Sequence, residues 1–241
     1  MTQAKKALEN WTKAYRKMIG SGTVLNWPPT PLIRMFMGNY IPGLTRDYKG
    51  KKVLDIGCGS GNNMIFFASL GMKLYATEVT DAFCEMTRQR INDLGFKLDI
   101  RTGMNRRIPF PNDSFDYLVS WNVIHYEDNE DDMKKAISEY ARVLKPDGRL
   151  FLSTTGPRHM ILKDARLLGN HRYRIGRKDD FRKGEVFFYF ESPEYIHYYF
   201  SGEFKKIYIG TVSDFMFTQW QDYFLVTALK KNKSRFSKRG S

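Results

Sequence analysis

The stretch VLDIGCGSGNN, residues 53–63, sets three glycines within five positions directly after an apolar strand-like run and directly before the apolar run MIFFASL. A chain that gives up this much backbone order is making room for something. Glycine lacks a Cβ, so backbone N–H groups there can approach a ligand, and strand–glycine–helix order also presents a helix N-terminus to it. The spacing is G-x-G-x-G, from Gly57, Gly59 and Gly61, and differs from the G-x-G-x-x-G of dinucleotide sites. Asp55 stands just before the first glycine, where it repels a pyrophosphate and welcomes a cation. Glu78 ends the next strand, where a carboxylate can accept both hydroxyls of a ribose. A ligand with a ribose and a positive charge, and no phosphate, fits this pair best.

Working outward, the pattern predicts strands over 51–57, 72–78, 96–102, 115–121 and 148–155, with helices over 61–70, 80–94 and 129–144 between them. Apolar strands alternating with helices imply a mostly parallel sheet covered on both faces, an α/β architecture. KPDG at 145–148 reads as a turn. Upstream, Ala4, Leu8, Trp11, Tyr15 and Met18 form one apolar helical stripe, and Leu32, Ile33, Phe36, Met37 and Tyr40 suggest a second short helix. Downstream, the basic segment 157–170 reads as helical, GNHRYRIGRKDDFRKG as a polar loop and EVFFYF as an aromatic strand. Ser192 and Pro193 start a short helix, and strands over 204–212 and 219–229 close the domain.

VLDIGCGSGNN, the ATEV that ends the second strand, IPFPNDSFDYLVSWNVIHY and YARVLKPDGRLFLS together resemble the class I S-adenosylmethionine-dependent methyltransferases over roughly 51–155. The resemblance implies a Rossmann-like seven-stranded, mostly parallel sheet with one antiparallel strand, helices on both faces and an N-terminal helical lid over 1–45. A methyltransferase domain would span 46–229, with an acceptor-binding insertion at 157–200 and a basic disordered tail at 230–241. S-adenosylmethionine would be the cofactor and S-adenosylhomocysteine the product. On the family's pattern Asp55 and Gly57 would lie by the methionine part, Gly59 under the ribose, Glu78 on its hydroxyls, and Val79 beside the adenine. Where many relatives have an acid for the adenine amino group this chain has Met104, so Asn105 or a backbone group would take that contact. Asn122 matches the position facing the methyl group. NWPPTPLIRMF and GEVFFYFESPEYIHYYF are faintly similar to methyltransferases that act on bacterial polysaccharides and sugars.

Methyl transfer from a sulfonium is one in-line displacement, so positioning and exclusion of water dominate, and a base is needed only for a protonated acceptor. His125, in the loop after the fourth strand, is the candidate base, with substrate contact or packing as the alternative; Tyr126 beside it is a candidate substrate contact. Trp11, Tyr15 and Trp27 are candidates for the lid, and Trp27, in a Pro-rich loop, is the better one. Arg158 and Arg174, within a 157–183 segment holding nine Arg/Lys against three Asp, suggest a phosphate- or carboxylate-bearing acceptor. His159, His171 and His197 lack metal-ligand spacing, and the acids at 127–132 read as a helix N-terminus more simply than as a magnesium site, so no metal is expected.

The net charge of +13 is concentrated in that segment and in the tail, where Lys230, Lys231, Lys233, Arg235, Lys238 and Arg239 face no acid. Cys58 and Cys84 are too few for a disulfide framework, no apolar run reaches a membrane span, and MTQAKKALEN lacks a signal-peptide core, which predicts a cytoplasmic protein. The leading expectation is a methyltransferase for a small, anionic metabolite such as a sugar or nucleotide-sugar, on oxygen in preference to nitrogen. Nucleic-acid methylation is encouraged by a pI of 9.6 but opposed by SWNVIHY, which lacks the Asp/Asn-Pro-Pro-aromatic sequence of base-methylating enzymes. A catalytically silent cofactor-binding module is a third reading, and a nicotinamide-dependent oxidoreductase a fourth, disfavoured by Asp55. Oligomeric state is not legible.

Overall fold

In the computed structural model, residues 9–14, 17 and 26–232 are described. The main strands are β1 (Lys52–Ile56), β2 (Lys73–Glu78), β3 (Leu98–Thr102), β4 (Phe115–Trp121) and β5 (Leu144–Thr155). A smaller set follows, β6 (Arg166–Gly169), β7 (Arg172–Arg174) and β8 (Val186–Phe188), and then β9 (Phe204–Met216) and β10 (Gln219–Lys230). The helices are α1 (Thr30–Met37), α2 (Asn62–Ser69), α3 (Asp81–Asp93), α4 (Glu130–Val143) and α5 (Pro193–Phe200).

Seven strands form one sheet in the order β3-β2-β1-β4-β5-β10-β9. All neighbours from β3 to β5 pair parallel, whereas β10 runs antiparallel to both β5 and β9, giving the single reversed strand near one edge. β1 lies in its interior, between β2 and β4, because successive side chains alternate between faces and both faces are apolar. Leu54 and Ile56 pack with Met133, Ile137 and Tyr140 of α4 and with Ile196 and Phe200 of α5. Val53 packs on the other side with Phe36 of α1, Met64 and Phe67 of α2 and Ile91 of α3. Those two apolar layers leave the carboxyl ends of the parallel strands as the edge where loops can carry chemistry.

Local signals set the boundaries. Thr80 caps α3 by accepting from the Phe83 N–H at 3.2 Å, and Asn129 caps α4 by accepting from the Asp132 N–H at 2.9 Å. Glu130, Asp131 and Asp132 occupy the first turn of α4 and Arg142 its last, as the helix dipole favours. KPDG is a bulge inside β5 rather than a separate turn. The register against β4 jumps from Phe115–Leu144 to Tyr117–Arg149, with Asp147 at φ 58°.

The segment after β5 differs from its sequence reading. Residues 157–170 hold one short 3-10 turn, Met160–Leu162, and then β6, and the polar loop contains β7. Positive φ at Asp164, Gly169, Asn170 and His171 turns the chain back on itself, so β6, β7 and β8 form an antiparallel three-stranded sheet in place of a helix. Of the N-terminal helix expected over 3–19, residues 9–14 and 17 are helical, while Ala4, Leu8, Tyr15 and Met18 lie outside the described residues, as does the tail from 233. α1 is a core helix, with Phe36 stacked on Phe151 of β5 at 4.2 Å.

Candidate functional site

The glycine loop leaves β1 with all three glycines at positive φ: 60° at Gly57, 58° at Gly59 and 81° at Gly61. Space is as restrictive as backbone angle. A Cβ on Gly57 would meet both Val123 methyls at 3.0 Å, and one on Gly61 would stand 3.1 Å from Thr87 and Ile91 of α3. The loop therefore nests between the exit of β4 and the flank of α3. Thr87 Oγ1 donates to the Gly59 carbonyl at 2.6 Å, and Arg90 donates both to the Ser60 carbonyl and, at 2.6 Å, to Asn26 Oδ1 of the N-terminal segment.

Two buried carboxylates bracket this loop. Glu78 Oε1 accepts from the Gly59 N–H at 2.6 Å and Oε2 from the Val79 N–H at 3.0 Å. Burial raises its pKa, and those two N–H groups pull it back. Asp55 is 1% exposed and accepts from Asn63 Nδ2 at 3.0 Å. Burial pushes it up to about 7, Asn63 opposes the rise, and the charge of Glu78 adds to it. Each Glu78 oxygen keeps a lone pair for a further donor, which matches a ribose diol, and paired buried carboxylates favour a cationic ligand. These residues fit S-adenosylmethionine.

Around this centre, Val79 and Met104 are exposed at the ends of β2 and β3. Asn122 is held at φ 59° by its backbone N–H on Ser153 and by Ser153 Oγ donating to its side-chain oxygen at 2.6 Å. Asn105 is buried and engaged elsewhere. Its Nδ2 donates to Glu127 at 3.0 Å and to the Val123 carbonyl at 3.4 Å, while its Oδ1 accepts from Tyr140 at 2.6 Å. Glu127 in turn pairs with Arg106 at 2.6 Å, and Arg106 with Asp132 at 3.1 Å. The acids after β4 are thus bound up in a helix start and an ion-pair network. Among the described residues no group of three or more His, Cys, Asp or Glu could hold a metal ion.

After β4, His125 lies in the 3-10 turn Ile124–Tyr126, between Tyr126 and Phe187 with ring centroids at 4.9 and 4.7 Å. Its Nδ1 is 3.4 Å from Thr154 Oγ1. Burial, then the charges of Arg182 and His159, push its pKa down to about 3, so it is neutral near pH 7. Trp11 stands edge-on to Tyr126 at 5.7 Å and to Phe181 at 4.7 Å, which brings the N-terminal helix over this aromatic cluster. Trp27 is 61% exposed. Arg158 lies 4.4 Å over the Trp220 ring and donates to Ser213 at 2.8 Å; Arg174 is exposed on β7. A pocket of about 330 Å³ lined by Arg158, His159, Lys163 and Trp220 opens nearby. Another of about 300 Å³ lies at the amino ends of β1 and β4, away from the glycine loop, where Asp116 pairs with Lys145 at 2.8 Å.

Three residues of this side were not singled out from sequence. Arg182 forks onto both oxygens of Asp180 at 2.8 and 2.7 Å, and Glu185 is buried beside them. The D-x-R spacing was the available signal for the fork; nothing local announces burial of Glu185.

Residues 53–148 match the family described as "Methyltransferase domain". Over that stretch, about two fifths of the chain, the sequence resembles methyltransferase domains. The chain is 32% identical over 102 residues to an uncharacterized methyltransferase, YcgJ, of Bacillus subtilis, covering 42% of this chain and 39% of that one. It is 29% identical over 110 residues to the ubiquinone/menaquinone biosynthesis C-methyltransferase UbiE of Cronobacter sakazakii, covering 43% and 42%. The chain thus spans about two fifths of the length of these curated relatives. A solved S-adenosylmethionine-dependent methyltransferase of Methanosarcina mazei superposes with a TM-score of 0.63 at 17% identity, covering 84% of this chain and 98% of that one. A solved phosphoethanolamine N-methyltransferase 2 of Haemonchus contortus, in complex with S-adenosyl-L-methionine, superposes with a TM-score of 0.60 at 15% identity, covering 84% of this chain and 52% of that one. No helix among the described residues is long and apolar enough to cross a membrane.

Proposed function

We propose that this protein transfers the methyl group of S-adenosylmethionine to a small polar metabolite, on oxygen in preference to nitrogen, with a sugar or nucleotide-linked sugar as the acceptor class. The observation that carries this reading is the pair of buried carboxylates, Asp55 and Glu78, flanking a loop in which Gly57 has no room for a Cβ. The cofactor supplies a methyl group on a cationic sulfur, ready for displacement by a nucleophile.

The chain's own residues do the positioning. Glu78 takes the ribose hydroxyls, Gly57 and Gly59 let the backbone close on the ligand, and Asp55 stabilises its cationic end. Val79 and Met104 flank the adenine, and a backbone group beside Met104 meets its amino group, because the Asn105 amide is already engaged. Asn122 faces the methionine portion. Of the two roles expected for His125, its lowered basicity and its place between two rings support contact and water exclusion over proton abstraction. Tyr126, Trp27, Arg158 and Arg174 border the acceptor, with the arginines suited to an anionic group on it.

The test has two steps. Calorimetry should register S-adenosylmethionine and S-adenosylhomocysteine binding, and a labelled methyl group should pass from the cofactor to one small molecule of a metabolite extract, identified by mass. No heat with either ligand, or label appearing only in polynucleotide, overturns the reading.

A further inference from the structure

Glu185 is the one acid among the described residues whose two side-chain oxygens are both buried without a hydrogen-bond partner. The residue is 6% exposed, and its backbone is fixed, with its N–H on the Arg182 carbonyl at 2.9 Å and its carbonyl accepting from Ile175 at 2.9 Å. Arg182, the cation whose charge acts on it, makes no hydrogen bond to it. Arg182 is already engaged by Asp180, which takes two guanidinium bonds and the Arg182 backbone N–H at 2.9 Å. On either side of Glu185 in the small sheet, Ile175, whose backbone pairs with that of Glu185, and Phe187 are buried together with Ile161, with Tyr126 and Leu162 packed on them. Burial pushes Glu185 up to about 7, with Arg182 opposing.

The position of this group in the fold links it to the methyl-transfer edge. β8 begins one residue after Glu185, and its Phe188 N–H donates to the Glu127 carbonyl at 3.1 Å, which ties the small sheet to the exit of β4. Phe187 of the same strand lies tilted against His125, and Tyr126 stands edge-on to Phe187 at 4.7 Å. A buried acid without a partner is costly to a fold and needs a reason; local rules are broken mainly where a site requires it.

We propose that the Glu185 carboxylate is an acceptor-recognition residue: it receives a hydrogen-bond donor, a hydroxyl or a protonated amine, from a small molecule whose flat apolar surface lies against Tyr126 and Phe187. This rests on the methyl-transfer reading only for what is later done to the bound molecule. It also sharpens the substrate class, because an acceptor that offers only anionic oxygens would be repelled here, whereas a polyol or amino sugar satisfies the site.

The probe is a panel of small polyols, sugars and amines, each beside its fully O-methylated or N-acetylated counterpart, read by saturation-transfer NMR on the full chain with S-adenosylhomocysteine present. At least one donor-bearing probe should bind, its blocked counterpart should not, and Glu185→Gln should weaken binding tenfold or more while leaving S-adenosylhomocysteine affinity within twofold. The same variant should melt at the wild-type temperature or above it, since a fold-supporting carboxylate would instead leave it less stable. Unchanged probe binding in E185Q, no donor-bearing binder at all, or a variant that melts lower or fails to fold overturns the proposal. Loss of S-adenosylhomocysteine binding in the wild type would overturn the methyl-transfer reading instead, and the probe result would still decide Glu185. Which of the two probe classes binds tells a hydroxyl acceptor from an amine.

Discussion

The two halves of the carboxyl edge handle buried charge differently. On the glycine-loop side each buried carboxylate has a partner inside the fold: Glu78 has two backbone N–H groups, and Asp55 has Asn63. On the β6–β8 side Glu185 has none, and the adjacent cation is taken by Asp180. The first half is satisfied from within the chain. The second leaves a valence open, as a surface does whose last contact comes from the molecule it selects.

The contrast breaks most easily at Gly57. Gly57→Val combines a left-handed backbone that a β-branched residue resists with collision against Val123. It should cost about 3 kcal/mol of stability and over a hundredfold in S-adenosylmethionine affinity, read by thermal melts and calorimetry. Next in size, Glu78→Ala should weaken cofactor affinity by roughly 1–3 kcal/mol through lost charge-assisted bonds, with acceptor probes still bound. If Glu78→Ala and Glu185→Gln cost the same ligand the same amount, the two halves are one site and the contrast fails.

Asp55 gives a pH signature. Its carboxyl is raised to about 7, above its unfolded value, so the ionised form that attracts a cationic ligand is lost as pH falls through 7. Wild-type affinity for S-adenosylmethionine should drop about tenfold between pH 8 and pH 6, and Asp55→Asn should flatten that profile. A raised acid destabilises the folded state once ionised, so Asp55→Asn should melt above wild type at pH 8, the gap closing as pH falls toward 4. Smallest is His125→Ala, at the seam between the halves. Cofactor affinity should stay within twofold and turnover fall only a few-fold, with no new limb in the pH–rate profile. A hundredfold loss of turnover would restore the histidine as a base.

How much of this was legible depends on how local the cause was. The strand–glycine–helix unit, the acid at the end of β2 and the capped start of α4 are written in runs of a few residues, and each of those elements forms where its pattern places it. The reversed strand near the sheet edge followed from the resemblance, not from periodicity. The segment after β5 departs from its helix-like mixture of basic and apolar residues because strand pairing overrules it: Leu167 pairs with Tyr173, and Arg172 with Phe188. Asn105 was chosen for its neighbourhood, but only the fold brings Tyr140 and Glu127 to its amide. Glu185 was invisible for the same reason, since burial of a carboxylate in a charged stretch is a tertiary event.

The seat of Val123 against Gly57 has one more implication. The glycine loop and the loop after β4 interlock like adjacent teeth, so on the proposed reading the donor's loop and the acceptor's loop shift together. Loading the donor should therefore change the grip on the acceptor, and by reciprocity the acceptor should change the grip on the donor by the same factor. Such a coupling would make the affinity for each ligand depend on the occupancy of the other through the backbone alone.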